Sequence, residues 1–224
     1  MRPRAVFFDL DYTLYDHWQY VAGALAQVAA AMAQELPRGD GGPRESLLET
    51  WRTLGSDHDR LFDRWLEGHG LLSRERVDKC VGVFHAYRPA RLVPYRGVET
   101  MLRALKSRQR LGIVTDGEPH MQRTKVTALG LAEWFDVIVY AGELSRQKPD
   151  PEVFRRALQA LDVRPEASVF VGDHPVRDIM GARRVGMRAI RVLTGEFRQL
   201  PDDPRWGPDH RVESLRELPA VLGS

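Results

Sequence analysis

At 224 residues, 43% of them hydrophobic, the chain is long enough to bury a sizeable core without disulfide or metal staples. Thirty-three basic residues against 31 acidic ones leave a formal net charge of +2, which excludes the strong electrostatic footprint of a nucleic-acid or anionic-membrane binder. With one cysteine, no signal-peptide pattern at the first residues and no stretch approaching the roughly 20 apolar residues of a membrane span, the chain reads as a soluble cytoplasmic protein.

The first predicted element is AVFFDL, residues 5–10, a short apolar run of the kind that forms a strand buried on both faces. It ends on carboxylates, Asp9 and Asp11. Residues 17–36 follow, with Trp18, Val21, Ala22, Leu25, Val28, Ala29, Met32 and Leu36 at helical spacing on one apolar face. Pro37 to Pro43 is a breaker cluster, and helical patterns resume at 44–54, 57–68 and 74–87. Residues 93–97, VPYRG, then lead into a helix over 98–108.

From there strands and helices alternate. LGIVTD (111–116), FDVIVYA (135–141), SVFVGD (168–173) and RAIRVL (188–193) read as buried strands, with helices over 118–129, 151–161 and 175–185 between them. Gly130 and Gly186 are helix stops, and Asp150 before Pro151 is an N-cap. The pattern is that of an α/β protein with a doubly wound parallel sheet. About a hundred residues separate its first two strands, so a helical domain over 16–91 is inserted into a core made of 1–15 and 92–224.

Ligands of such sheets bind beyond the carboxyl ends of the strands. There the sequence puts Asp9, Asp11, Thr115, Asp116, Gly117, Lys148, Asp173 and Asp178. Taken singly, Asp116, Asp150 and Asp178 are ordinary turn formers or caps, Thr115 a strand residue and Lys148 a loop charge. Taken together, carboxylates and phosphate-binding residue types meet at one edge, suited to a hard cation such as Mg²⁺ with a substrate phosphate. Lysine is scarce in this arginine-rich chain, occurring only at 79, 106, 125 and 148, which favours a purpose for Lys148. By contrast Arg52, Arg60, Arg64, Arg74 and Arg76 read as a solvated face, and Trp18, Trp51 and Trp65 as helix packing.

Asp9-x-Asp11-x-Thr13, the strand ending in Thr115, Lys148-Pro149 and Gly172-Asp173-x-x-x-x-Asp178 resemble, in order, the four motifs of the haloacid dehalogenase superfamily. The insert after the first motif resembles the helical cap of that superfamily's first cap class. The resemblance implies hydrolysis of a small phosphorylated metabolite through an aspartyl-phosphate intermediate. In it Asp9 is the nucleophile, Asp11 the acid and base, and Mg²⁺ is held by Asp9, the Asp11 carbonyl and Asp173, with Asp178 behind them. Thr115, the amides of Asp116 and Gly117, and Lys148 bind the phosphoryl group.

Within the superfamily, dehalogenases lack the second aspartate and mutases carry a small aliphatic residue where this chain has Thr13, so a phosphatase is expected. The segment from Thr115 to Lys125 is similar to that of pyrimidine nucleotidases and N-acylneuraminate 9-phosphatases, which more often have Asn at the position of Asp116. A receiver-type phospho-acceptor shares the residue types but has no such insert and no late Gly-Asp pair. A P-loop is excluded because Met187 stands where its lysine is required. Tyr15, His17 and Arg88 are candidates to touch the leaving group. His174, beside Asp173, is not expected to ligate, since nitrogen suits Mg²⁺ poorly.

Overall fold

Ala5–Phe8 (β1), every side chain fully buried, forms the centre of a six-stranded sheet in a computed structural model that describes residues 2–36, 42–56 and 58–223. The other strands are Arg110–Thr115 (β2), Val137–Tyr140 (β3), Ser168–Gly172 (β4), Arg188–Val192 (β5) and His210–Val212 (β6). Their order is β3-β2-β1-β4-β5-β6, and each neighbouring pair is parallel. Chain direction across the sheet reverses between β1 and β4, where Ala5 pairs with Ser168 and Phe8 with Val171. That reversal opens a crevice at the strands' carboxyl ends, the usual ligand position in a doubly wound sheet.

The described chain divides into two compact units, 1–17 with 91–224, and 18–90. The second contains helices Trp18–Met32 (α1), Gly42–Leu54 (α2), Leu61–Gly68 (α3) and Arg74–Ala86 (α4). They pack Leu25, Val28, Met32, Leu47, Phe62, Trp65, Leu66 and Cys80 into a core of their own. Trp65 donates its indole N–H to Ser46 Oγ at 2.9 Å, which satisfies the polar edge of a buried ring. Trp18 packs against Trp51 at 4.8 Å between ring centroids, the ring planes tilted by 42°, with the Arg52 guanidinium over the Trp18 ring. Of the expected breaker cluster, residues 37–41 lie outside the described residues, as does Asp57; the helix predicted to begin there begins at Leu61.

In the sheet-bearing unit the helices are Val98–Lys106 (α5), Pro119–Leu129 (α6), Pro151–Ala160 (α7), Gly181–Arg184 (α8) and Leu218–Val221 (α9). Asp150 caps α7 by accepting the Glu152 amide at 2.9 Å, and α6 stops at Gly130 in the left-handed region. Phe7, Val114, Phe154, Phe170 and Ile179 anchor one apolar layer.

Two departures from the sequence reading bear on function. The helix expected over 175–185 is a π-helical turn, Pro175–Met180, running into α8. The wider turn accommodates both the Asp178 and Ile179 amides on the His174 carbonyl and keeps Asp178 at the end of β4. Strand β6 was not anticipated, because it is three residues long, sits at the edge, and exposes His210 and Arg211. Among the described residues no helix is long and apolar enough to cross a membrane.

Candidate active site

Pairing of β1 ends at Phe8, but the Asp9 amide still donates to the Val171 carbonyl at 2.9 Å, so the Asp9 side chain is set by the sheet itself. The chain then turns. Tyr12 takes a positive φ of 59°, and the Leu14 amide closes on the Leu10 carbonyl at 3.0 Å. The Thr194 hydroxyl donates to the Tyr12 carbonyl and pins the turn from the end of β5. Thr13 is thereby buried, with its hydroxyl donating to Asp173 Oδ1 at 3.3 Å.

Lys148, in the loop after β3, reaches across to join the first and fourth strands. Its ammonium lies 2.5 Å from Asp9 Oδ1 and 2.7 Å from Asp178 Oδ1, with the side chain only 2% exposed. Its backbone amide donates to Asp116 Oδ1 at 2.9 Å, which fixes the loop to the end of β2. Burial opposes the lysine's charge, but the carboxylates of Asp178, Asp9 and Asp116 outweigh it and hold the ammonium above the ordinary lysine range. Asp178 Oδ2 accepts the His174 amide at 3.0 Å, so both of its oxygens are occupied. Gly172 makes room for it: a Cβ there would stand 2.5 Å from that of Asp178.

Asp9, Asp173 and Asp178 each offer a carboxylate oxygen, and the three lie within 4.8 Å of one another, all buried. Burial, the charges of Asp178 and Asp11, and the counteracting Lys148 leave Asp9 pushed up to about 7. Asp173 is pushed well above the carboxylate range by burial and by the charges of Asp178 and Asp9. Three carboxylates facing one ammonium are an unbalanced buried charge. Asp173 Oδ2 is in addition buried with no hydrogen-bond partner. An oxygen-only donor set, an excess of negative charge and an orphaned carboxylate oxygen all fit a hard divalent cation.

Asp11 belongs to a separate network. Its Oδ1 accepts the Tyr15 hydroxyl at 2.6 Å and lies 2.9 Å from His17 Nδ1; its Oδ2 accepts Gln122 Nε2 at 2.9 Å and the Lys125 ammonium at 2.7 Å. Burial works against ionisation, yet His17 and Lys125 prevail and hold the Asp11 carboxyl well below its usual range. His17 is itself pushed down from its ordinary value, by burial first, against the pull of Asp11. Gln122 also donates to Thr115 Oγ1 at 2.5 Å, joining this network to the end of β2. Gly117 follows at φ +103°, which a side chain would strain.

The predicted side chains thus fall into two groups, Lys148 with Asp9, Asp178 and Asp116, beside which Asp173 lies, and Asp11 with Thr115 through Gln122. Tyr15 and His17 bond to Asp11, and the Arg88 guanidinium donates to the His85 and Tyr87 carbonyls. His174 caps the following turn, its Nδ1 accepting the Val176 and Arg177 amides, each at 3.1 Å. Gln122, Lys125 and Arg191 were not singled out from sequence. The scarcity of lysine marks Lys125 as it does Lys148, but nothing in the sequence says which way its helix face turns. Arg191, inside β5, is buried and donates from Nε to the Asp173 carbonyl at 3.1 Å.

A family model for haloacid dehalogenase-like hydrolases matches residues 6–192. The chain is 33% identical to a glyceraldehyde 3-phosphate phosphatase of Methanopyrus kandleri, over 98% of this chain and 97% of the relative. It is 29% identical to the N-acylneuraminate-9-phosphatase of Mus musculus, over 100% and 95% of the two chains. Among solved structures, a 2-haloacid dehalogenase of Pseudomonas syringae pv. tomato superposes with a TM-score of 0.69 at 32% identity, covering 99% of this chain and 98% of that one.

Proposed function

The chain belongs to the haloacid dehalogenase-like hydrolase family, and on that premise we propose that it hydrolyses phosphomonoesters of small metabolites through an aspartyl-phosphate on Asp9. The observation that carries this reading is the division of labour between two carboxylates two residues apart. Asp9 is buried against the Lys148 ammonium, whereas Asp11 has its own set of donors and a side chain that is 24% exposed.

In the proposed reaction Asp9 attacks phosphorus as the bond to the leaving oxygen breaks, and Asp11, a carboxylate in the resting site, relays to that oxygen the proton that the phosphomonoester monoanion brings. Water then attacks the phosphorus of the aspartyl-phosphate, loses its proton to Asp11, and frees Asp9 and inorganic phosphate. Thr115 and the amides of Asp116 and Gly117 hold the phosphoryl oxygens, and Lys148 balances their charge, steadied by Asp178. Magnesium is the cation proposed, with the Asp9 and Asp173 carboxylates and the Asp11 carbonyl to hold it. Bound there, it would screen the nucleophile from the anionic phosphate. Residues 16–91 are proposed as the cap domain, and a cytoplasmic setting suits a substrate of this class.

The likeness to a dehalogenase supports a second reading, displacement of halide from a haloacid. Against it stands Asp11, since an ester formed at carbon needs no proton donor for a departing halide. The test is a panel of glyceraldehyde 3-phosphate, N-acylneuraminate 9-phosphate, nucleotides and p-nitrophenyl phosphate, each with and without Mg²⁺, beside 2-chloropropionate. Magnesium-dependent phosphate release is expected, with Asp9→Asn lowering it at least about 10³-fold, roughly 4 kcal/mol of barrier. Chloride release without phosphate release, or an active Asp9→Asn protein, would overturn the reading.

A further inference from the structure

Lys125 sits one turn after Gln122 on α6, and its side chain is 4% exposed. A buried ammonium on a core helix is expensive unless something answers its charge. The plain account is an anchor between α6 and the turn after β1, and a single hydrogen bond to Asp11 would meet that need. The geometry goes further. Both oxygens of Asp11 are gripped, Oδ1 by Tyr15 and His17 and Oδ2 by Gln122 and Lys125, so the carboxylate cannot rotate about its last torsion. Gln122 spends its two N–H groups on Asp11 Oδ2 and Thr115 Oγ1, which ties the grip to the residue that ends β2. The gripped group is also the more open one, with Asp11 at 24% exposure against 4% for Lys125.

We infer that Lys125, with Gln122, is a positioning residue that aims the Asp11 carboxyl at the leaving-group oxygen. The inference rests on the reading of Asp11 as the acid and base of a phosphatase. A residue acting in this way matters in proportion to the leaving group's need for a proton. As the phosphorus–oxygen bond breaks, Asp11 takes the proton that the substrate's phosphate monoanion brings and passes it to the departing oxygen, ending again as the carboxylate that Lys125 and Gln122 hold. Phenolate requires that proton far more than p-nitrophenolate, at almost the same size.

The experiment compares kcat/KM for phenyl phosphate and p-nitrophenyl phosphate, with Mg²⁺, in wild type, Lys125→Met, Lys125→Arg, Asp11→Asn and the double variant Asp11→Asn with Lys125→Met. Lys125→Met is expected to lose about 100-fold on phenyl phosphate and less than about 5-fold on p-nitrophenyl phosphate, with Lys125→Arg recovering part of the loss. Once Asp11 is Asn, the Lys125 change should cost less than about 3-fold, because the two act as a unit. If circular dichroism shows Lys125→Met to be unfolded, Gln122→Met is held to the same leaving-group criterion. Equal losses on the two esters, or additive losses in the double variant, would overturn the inference and leave the phosphatase reading standing. A wild type that hydrolyses neither ester brings down both.

Discussion

Lys148 and Asp178 meet at 2.7 Å with both side chains 2% exposed, so the ammonium that touches Asp9 is held from behind by a carboxylate that the His174 amide fixes in turn. An ion pair this deeply buried contributes less than its Coulomb energy suggests, but breaking it is costly because the surviving charge is stranded.

Lys148→Met is therefore expected to abolish turnover and destabilise the protein by about 3 kcal/mol, a fall of roughly 10 °C in Tm for a chain of this size. Thermal melts and p-nitrophenyl phosphate hydrolysis read the two effects. A variant that keeps wild-type turnover would return Lys148 to an ordinary loop charge.

Asp173→Asn should move stability and activity in opposite directions. Removing one of three crowded carboxylates relieves repulsion at a buried oxygen with no partner, so without added metal the variant is expected to melt higher, by about 1 kcal/mol or more. Millimolar Mg²⁺ should raise the Tm of the wild type and not that of the variant, since a ligand stabilises only the form that binds it. A metal response of equal size in both would remove Asp173 from the cation site.

Gly172→Ala tests the room made for Asp178. The added methyl would press on Asp178 Oδ2 and stand 2.5 Å from its Cβ, which requires the carboxylate to shift. A loss of about 3 kcal/mol is expected, with activity falling further than the melt alone explains as Lys148 loses its backing. Unchanged activity would mean that the position of Asp178 is not critical.

Asp136 offers a pH signature away from the site. It lies before β3, accepting the Leu111 amide and the Lys106 ammonium, each at 2.8 Å. Partial burial opposes its charge, but the bonds from Lys106 and Leu111 prevail and hold the carboxyl below its usual range. Its stabilisation is thus complete above the unfolded-chain value of about 3.9 and is lost as pH falls through the lower folded value. Asp136→Asn should cost about 1 kcal/mol in urea melts at pH 7, reduced from the full value of a charged hydrogen bond by solvent, and progressively less below pH 4. A cost independent of pH would assign the effect to packing.

Asp9 and Asp173 were legible in the sequence as candidates because a parallel strand buried on both faces is an apolar run on which a terminal carboxylate stands out, and Lys148, in the loop after β3, because lysine is scarce in this chain. Gln122 and Lys125 were hidden by the opposite circumstance. On a helix of mixed polarity, residues three apart share a face, but only the fold decides whether that face meets water or the end of a strand. The π-helical turn was unreadable for a similar reason, since its residues are compatible with an ordinary helix and the widening answers to Asp178 and Gly172. Strand β6 has too few residues for any periodicity to register.

Arg191 carries a consequence for anyone reshaping this chain. Besides the Asp173 carbonyl, its guanidinium holds the carbonyls of Phe197 and Leu200 and the carboxylate of Asp202, which Arg211 grips in turn. A fragment cut after β5 would keep every motif carboxylate and still lose the partners of the arginine beneath one of them. A fusion or insertion between 196 and 211 therefore disturbs the support of the Asp173 backbone, however far from it the sequence makes that segment look.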